Sequence, residues 1–165
     1  MGGGKRVVGS RGSSGVQTFN PSVEIIGPVI ALVAWSMVVW VWMYLTRLPA
    51  MMAMKMRPDP NAPRGAQMAQ LPAAVRWKAD NYNHLMEQPT IFYAIVLSLA
   101  LLGSSSSSAL VLAWLYVALR VIHSLVQALT NKIEVRFLLF VLSNIPLFGL
   151  TVIAAMEFIK LATKA

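Results

Sequence analysis

Residues 80–93 read Asp80-Asn81-Tyr82-Asn83-His84-Leu85-Met86-Glu87-Gln88-Pro89-Thr90-Ile91-Phe92-Tyr93. At Pro89 a run crowded with ionisable and amide side chains gives way to an apolar one. The apolar run ends at Leu102. It supplies roughly 14 residues, or ~21 Å of helix, short of the ~30 Å hydrocarbon core of a bilayer. The polar stretch from Arg76 to Gln88 must therefore carry the rest of a crossing. Ionisable residues at that depth cost about 2.5–3.5 kcal/mol each on insertion scales, so they face protein or a wet cavity rather than lipid.

Composition makes a crossing the question. Hydrophobic residues are 57% of the 165 and charged residues 12%, against roughly 45–50% and about 25% in soluble domains. A disordered chain is excluded and a soluble enzyme disfavoured. Net charge is +8, from 14 Lys+Arg and 6 Asp+Glu. No basic run has interleaved aromatics, so nucleic acid is not an expected partner. The absence of cysteine excludes disulfides, thiolate metal sites and a cysteine nucleophile. With only His84 and His123 as histidines, no metal site is expected.

Upstream, residues 25–46 carry no charge and include Trp35, Trp40, Trp42 and Tyr44. Roughly 22 residues reach ~33 Å, enough to span. Arg47 and Pro49 are expected to stop this helix. Residues 48–74, with Pro49, Pro58, Pro60, Pro63 and Pro72 and the cluster Met51, Met52, Met54 and Met56, read as an interfacial loop. Residues 1–20, rich in Gly and Ser, read as a flexible tail. They lack the apolar core of a signal peptide.

Downstream, Gly103 to Ser108 reads as a solvated turn that forces an antiparallel neighbour. A third span over about 109–130, a tight turn at 131–135 and a fourth span over about 136–160, with a kink at Pro146, complete the chain. With the second span at about 75–102, residues 21–165 form one domain. The expected fold is all-α: an integral membrane four-helix bundle of up-down topology.

Charge placement orients it. Arg47, Lys55, Arg57, Arg64, Arg76, Lys78, Lys132 and Arg136 fall on one side; Lys5, Arg6, Arg11, Lys160 and Lys164 fall on the other. By the positive-inside rule the first group is cytoplasmic and both termini are outside. The polar parts of the last three spans then meet at one depth.

Helical spacing sorts those residues into stripes. Asp80, His84 and Glu87 lie at i, i+4, i+7, with Asn83 beside them. Arg120, His123, Ser124, Gln127 and Asn131 form a second stripe at i, i+3, i+4, i+7, i+11. The two stripes are expected to face each other, with an ion pair between Glu87 and Arg120 that fixes helix register. Pro89 should free the carbonyl of Leu85. A hydrolase triad is excluded, because adjacent helical residues such as His123 and Ser124 point about 100° apart. Proton relay by His84, Glu87 and His123 lacks the repeat and broken-helix signals of transporters.

The run Asp80 to Pro89 followed by Phe92-Tyr93 resembles the second-helix signature of the MAPEG family, membrane-associated proteins in eicosanoid and glutathione metabolism. Leu119-Arg120-Val121-Ile122-His123-Ser124, with Asn131 and Arg136 after it, resembles that family's third-helix signature. The similarity looks closest to a bacterial branch and covers about residues 25–160. It implies a homotrimer, in a bacterial inner membrane, with glutathione between subunits near the cytoplasmic face. It implies that Arg136 stabilises the thiolate and that Glu87, Arg120 and His123 contribute to glutathione binding; Asn83, His84, Ser124, Gln127 and Arg47 are taken with them as candidate glutathione- or substrate-binding residues. A thiol of pKa about 8.5 is mostly protonated at neutral pH, and a desolvated guanidinium lowers that value. The pattern departs from glutathione-binding members at Asp80 and Asn83, where arginine is typical, and at His84, Gln127 and Phe140.

Two functions follow. One is a glutathione-dependent transferase or peroxidase acting on lipophilic electrophiles. The other is a non-enzymatic protein of the same fold that binds lipid or a membrane protein partner, to which the departures, the tryptophans and the methionines would suit it.

Overall fold

The computed structural model describes residues 22–104 and 106–164; the expected tail at 1–20 lies outside them. Among the described residues the regular structure is all helical: α1 (Ile26–Ala53), α2 (Ala73–Glu87), α3 (Pro89–Leu101), α4 (Ser107–Leu129) and α5 (Ile133–Ala162), with a short 3-10 turn at Met68–Gln70. Taking α2 and α3 as one span, Ala73–Leu101, four helices are long and apolar enough to cross a membrane.

Local chemistry explains the boundaries. Pro28 sits in the first turn of α1, where its missing amide has no intrahelical partner to lose. α1 does not stop at Arg47 and Pro49 as expected; it runs on to Ala53. Pro49 removes only the bond to the Leu45 carbonyl, and one missing bond does not end the helix. The helix ends instead where Lys55 turns left-handed, φ 50°. Met51 and Met52 thus belong to a helix and not to a loop.

The second span runs as one helix in its backbone dihedrals, but its hydrogen bonding breaks at Gln88 (φ -69°, ψ -38°), because Pro89 has no amide to donate. α3 closes on a Schellman motif: the amide of Ser104 reaches Leu99 O (3.1 Å) and that of Gly103 reaches Ala100 O (3.1 Å), with Gly103 at φ 66°. The serine-rich turn is more than solvated filler. Ser106 caps α4 by accepting from the Ala109 amide at 3.3 Å. α4 gives way to α5 at Asn131, φ 50°, and Pro146 lies inside α5.

α4 packs most extensively on α5, and α1 on α2. The core between the helices holds Leu32, Val39, Leu85, Phe92, Val96, Leu99, Ala113, Tyr116 and Leu150. Phe92 and Tyr116 stack with centroids 4.4 Å apart. The outer faces carry Ile30, Leu45, Leu101, Phe148 and many other exposed apolar side chains. Such a surface suits hydrocarbon rather than water.

Candidate functional site

The polar stripe of α4 turns inward as its spacing requires. Arg120 is 1% exposed, His123 3%, and Ser124 and Gln127 0%. Ser124 is the hub. Its hydroxyl oxygen accepts from Asn81 Nδ2 of α2 (2.7 Å) and from Trp35 Nε1 of α1 (3.0 Å), tying three helices together.

Arg120 does not pair with Glu87. Glu87 is exposed, and the one salt bridge among the described residues is Lys160–Glu157 on the surface, at 3.1 Å. Arg120 instead donates through Nη2 to the carbonyl of His84 at 3.1 Å. The acceptor is not the Leu85 carbonyl that Pro89 should free but the one a residue earlier. Nε and Nη1 of Arg120, and both side-chain polar atoms of Gln127, have no hydrogen-bond partner among the described residues. A buried guanidinium with two free donors suits an anion better than it suits the core.

The second-helix stripe is turned from its expected position. Asp80, Asn83 and Glu87 are exposed and His84 is half-buried, while Asn81 and Leu85 face the core. Neutral Asn81 finds a partner for its Nδ2 on Ser124 while its Oδ1 stays unpartnered; a carboxylate buried there would carry a full charge and need an uncommitted cation at hydrogen-bond range.

Arg136 stands in the first turn of α5, half-buried. The left-handed Asn131 folds its side chain back so that Oδ1 accepts from Arg136 Nη1, while Arg136 Nε is buried without a partner. Arg136 borders an open cavity of about 430 Å³ lined by His84, His123, Ile133, Phe137 and Phe140. The two imidazoles stack there, centroids 6.3 Å apart and 19° from parallel.

Of the expected site residues, His84, His123 and Arg136 therefore share one cavity, with Arg120 beside His84 through its carbonyl. Arg47 and Asn83 line a different cavity, of about 590 Å³, between α1, the 54–72 segment and α2. Ser124 and Gln127 lie within the helix packing, and Glu87 lies outside it. Among the described residues no group of three or more His, Cys, Asp or Glu side chains could hold a metal ion.

Sequence reasoning missed a second polar network. Tyr116 donates to Gln88 Oε1 (3.0 Å), and Gln88 Nε2 donates to Asn144 Oδ1 (2.6 Å). Gln88 occupies the break between α2 and α3, and its place directly before Pro89 was the available signal. Asn81 shares a heptad-like stripe with Leu85, Gln88 and Phe92, a signal masked by the polar residues all round α2.

The family model described as MAPEG family matches residues 25–156 of the chain. No curated protein and no solved structure matches it.

Proposed function

The chain belongs to the MAPEG family, and from that premise we propose that this integral membrane protein is a glutathione-dependent transferase or peroxidase acting on lipophilic electrophiles. The observation that carries the reading is Arg136: a guanidinium with a buried, unpartnered Nε on a cavity whose other walls are two imidazoles and three apolar side chains. A cation beside apolar walls fits both a thiolate and a greasy co-substrate. Glutathione, when bound, supplies the thiol nucleophile. Arg136 holds the sulfur in its anionic form, and it can do so because guanidinium stays protonated where an amine would not. Asn131 fixes the direction of Arg136. Arg120, buried behind that cavity with two unpartnered nitrogens, adds positive charge beneath the wall that His84 and His123 form. Arg47 and Asn83, on the other cavity, are not assigned to the tripeptide.

The reading includes an up-down bundle assembled as a homotrimer in a bacterial inner membrane, with basic loops cytoplasmic and termini outside. Glu87, exposed on a spanning segment, supports it: such a carboxylate is costly against lipid and calls for a neighbouring copy.

Calorimetry in detergent tests the proposal. Glutathione should release or absorb heat at millimolar concentration, and Arg136→Ala should abolish the signal. No heat in the parent protein would overturn it. A specific observation favours the non-enzymatic reading as second choice: Phe140 puts a ring without a hydroxyl on the cavity wall. That reading expects lipid retention without any turnover of an aryl halide with glutathione.

A further inference from the structure

The larger cavity is cationic and has no part in the reading above. Arg47 closes the charge-free stretch of α1, so it marks the edge of the hydrocarbon region. Arg64 comes from the segment between α1 and α2, and Arg76 from the first turn of α2. All three line the cavity of about 590 Å³, with Asp80, Met43 and Met68.

The segment that brings Arg64 there is built, not loose. Gln67 donates through Nε2 to Arg57 O (2.9 Å) and accepts from the Asp59 amide through Oε1 (3.1 Å). Gly65, at φ 82°, then allows a turn that places Arg64 and Met68 on the same wall. Despite sharing the cavity, Asp80 forms no salt bridge with any of the three arginines. Arg47 Nε is buried without a partner. Three guanidiniums lining one cavity, against a single carboxylate that pairs with none of them, are a binding surface for an anion, and their planar forks match phosphate.

We propose that this cavity binds the phosphate of an acidic glycerophospholipid whose headgroup carries a hydroxyl. The position at the end of a spanning helix gives a headgroup access, and Met43 and Met68 supply apolar wall beside it. Exposed Leu45 and Leu48 continue the apolar surface of α1 near Arg47, where acyl chains can lie. Asp80 would repel a bare phosphate but accepts a hydrogen bond from a headgroup hydroxyl. The cavity therefore selects phosphatidylglycerol-type lipid over a phosphodiester that lacks hydroxyls. The shared chemistry is a phosphate ester; a soluble phosphate is the competing source.

Native mass spectrometry of the full-length protein in detergent tests this. Three lipids serve as probes: dioleoyl phosphatidylglycerol, dioleoyl phosphatidylethanol (same charge, no hydroxyl) and dioleoyl phosphatidylcholine. Phosphatidylglycerol should bind most tightly. Arg64→Gln and Arg76→Gln should each weaken it about tenfold, the loss of one charge-assisted contact. Both side chains are exposed, so neither change strips a buried group, and a melting curve checks folding. Asp80→Ala, which removes the acceptor at an exposed position, should erase the preference over phosphatidylethanol while leaving the preference over phosphatidylcholine. Equal binding of all three lipids, or glutamine variants that bind like the parent, would overturn the proposal. So would displacement of the lipid by millimolar glycerol phosphate, which assigns the cavity to a soluble phosphate. Displacement by glutathione in the parent, with glutathione binding lost in the glutamine variants, would assign it to the tripeptide. Failure of the Arg136→Ala calorimetry leaves these outcomes unaffected, so the two readings fail separately.

Discussion

Arg120 donates through Nη2 to the main-chain carbonyl of His84 at 3.1 Å, and its other two guanidinium nitrogens have no partner. The bond crosses from α4 to the last turn of α2, just before the break at Gln88. A charge placed this way is poorly compensated by the fold itself. Its burial costs stability unless something else brings an anion.

Arg120→Met should therefore be within about 1 kcal/mol of the parent in ligand-free thermal unfolding, or above it. Replacing an uncompensated buried charge by an apolar chain of similar volume is often neutral or stabilising. The same variant should lose glutathione binding. A large drop in melting temperature would show that Arg120 is held by interactions the structure does not contain.

Glu87→Gln should change monomer stability by no more than about 0.5 kcal/mol, the range for exposed positions away from networks. Under a Glu87–Arg120 pair the same change would strand a buried cation and cost about 3–5 kcal/mol. Equilibrium unfolding in mixed detergent separates the two values.

Ser124→Ala removes one acceptor from two donors, Asn81 Nδ2 and Trp35 Nε1. The expected cost is about 2–3 kcal/mol, since each stranded donor loses its bond in a dry setting. Tryptophan emission should shift as the Trp35 indole loses its partner. A loss below about 0.5 kcal/mol would mean that neither bond matters.

Gln88 and Asn144 should be coupled. Each alanine substitution breaks the relay from Tyr116, so a double-mutant cycle is expected to show about 1 kcal/mol of interaction energy. Additive single effects would argue that the break between α2 and α3 is held by packing alone.

Two glycines should respond in opposite ways. Gly103→Ala forces a side chain into φ 66° and should cost about 1 kcal/mol. At Gly27 an added methyl meets only Trp114 Cζ2 at 3.6 Å, an ordinary contact, so Gly27→Ala should be neutral or stabilise by about 0.5 kcal/mol. Thermal melts of both variants check the contrast.

Some of this was legible in the chain. The spans followed from long apolar runs, because a bilayer demands length and low charge whatever the helices touch. The inward stripe of α4 was legible as well. Residues of one helix are related by a fixed rotation of ~100°, so Arg120, His123, Ser124 and Gln127 had to share a face. Helix ends were harder. Pro49 reads as a stop, yet a proline removes one bond, and the turns on either side carried α1 past it.

What one sequence could not determine was the rotation of α2 about its axis. Polar side chains surround that helix, so its periodicity offers two faces: Asp80, His84 and Glu87, or Asn81, Leu85 and Gln88. Packing chose the second. Asn81 and Gln88 turn neutral amides inward to partners on α4 and α5, whereas the two carboxylates stay out of the helix packing, where no cation is free to pair with them. The relation of residues within a helix is set by covalent geometry and is written in the sequence. The relation between helices is set by which polar groups can be satisfied together, and only the tertiary structure decides it.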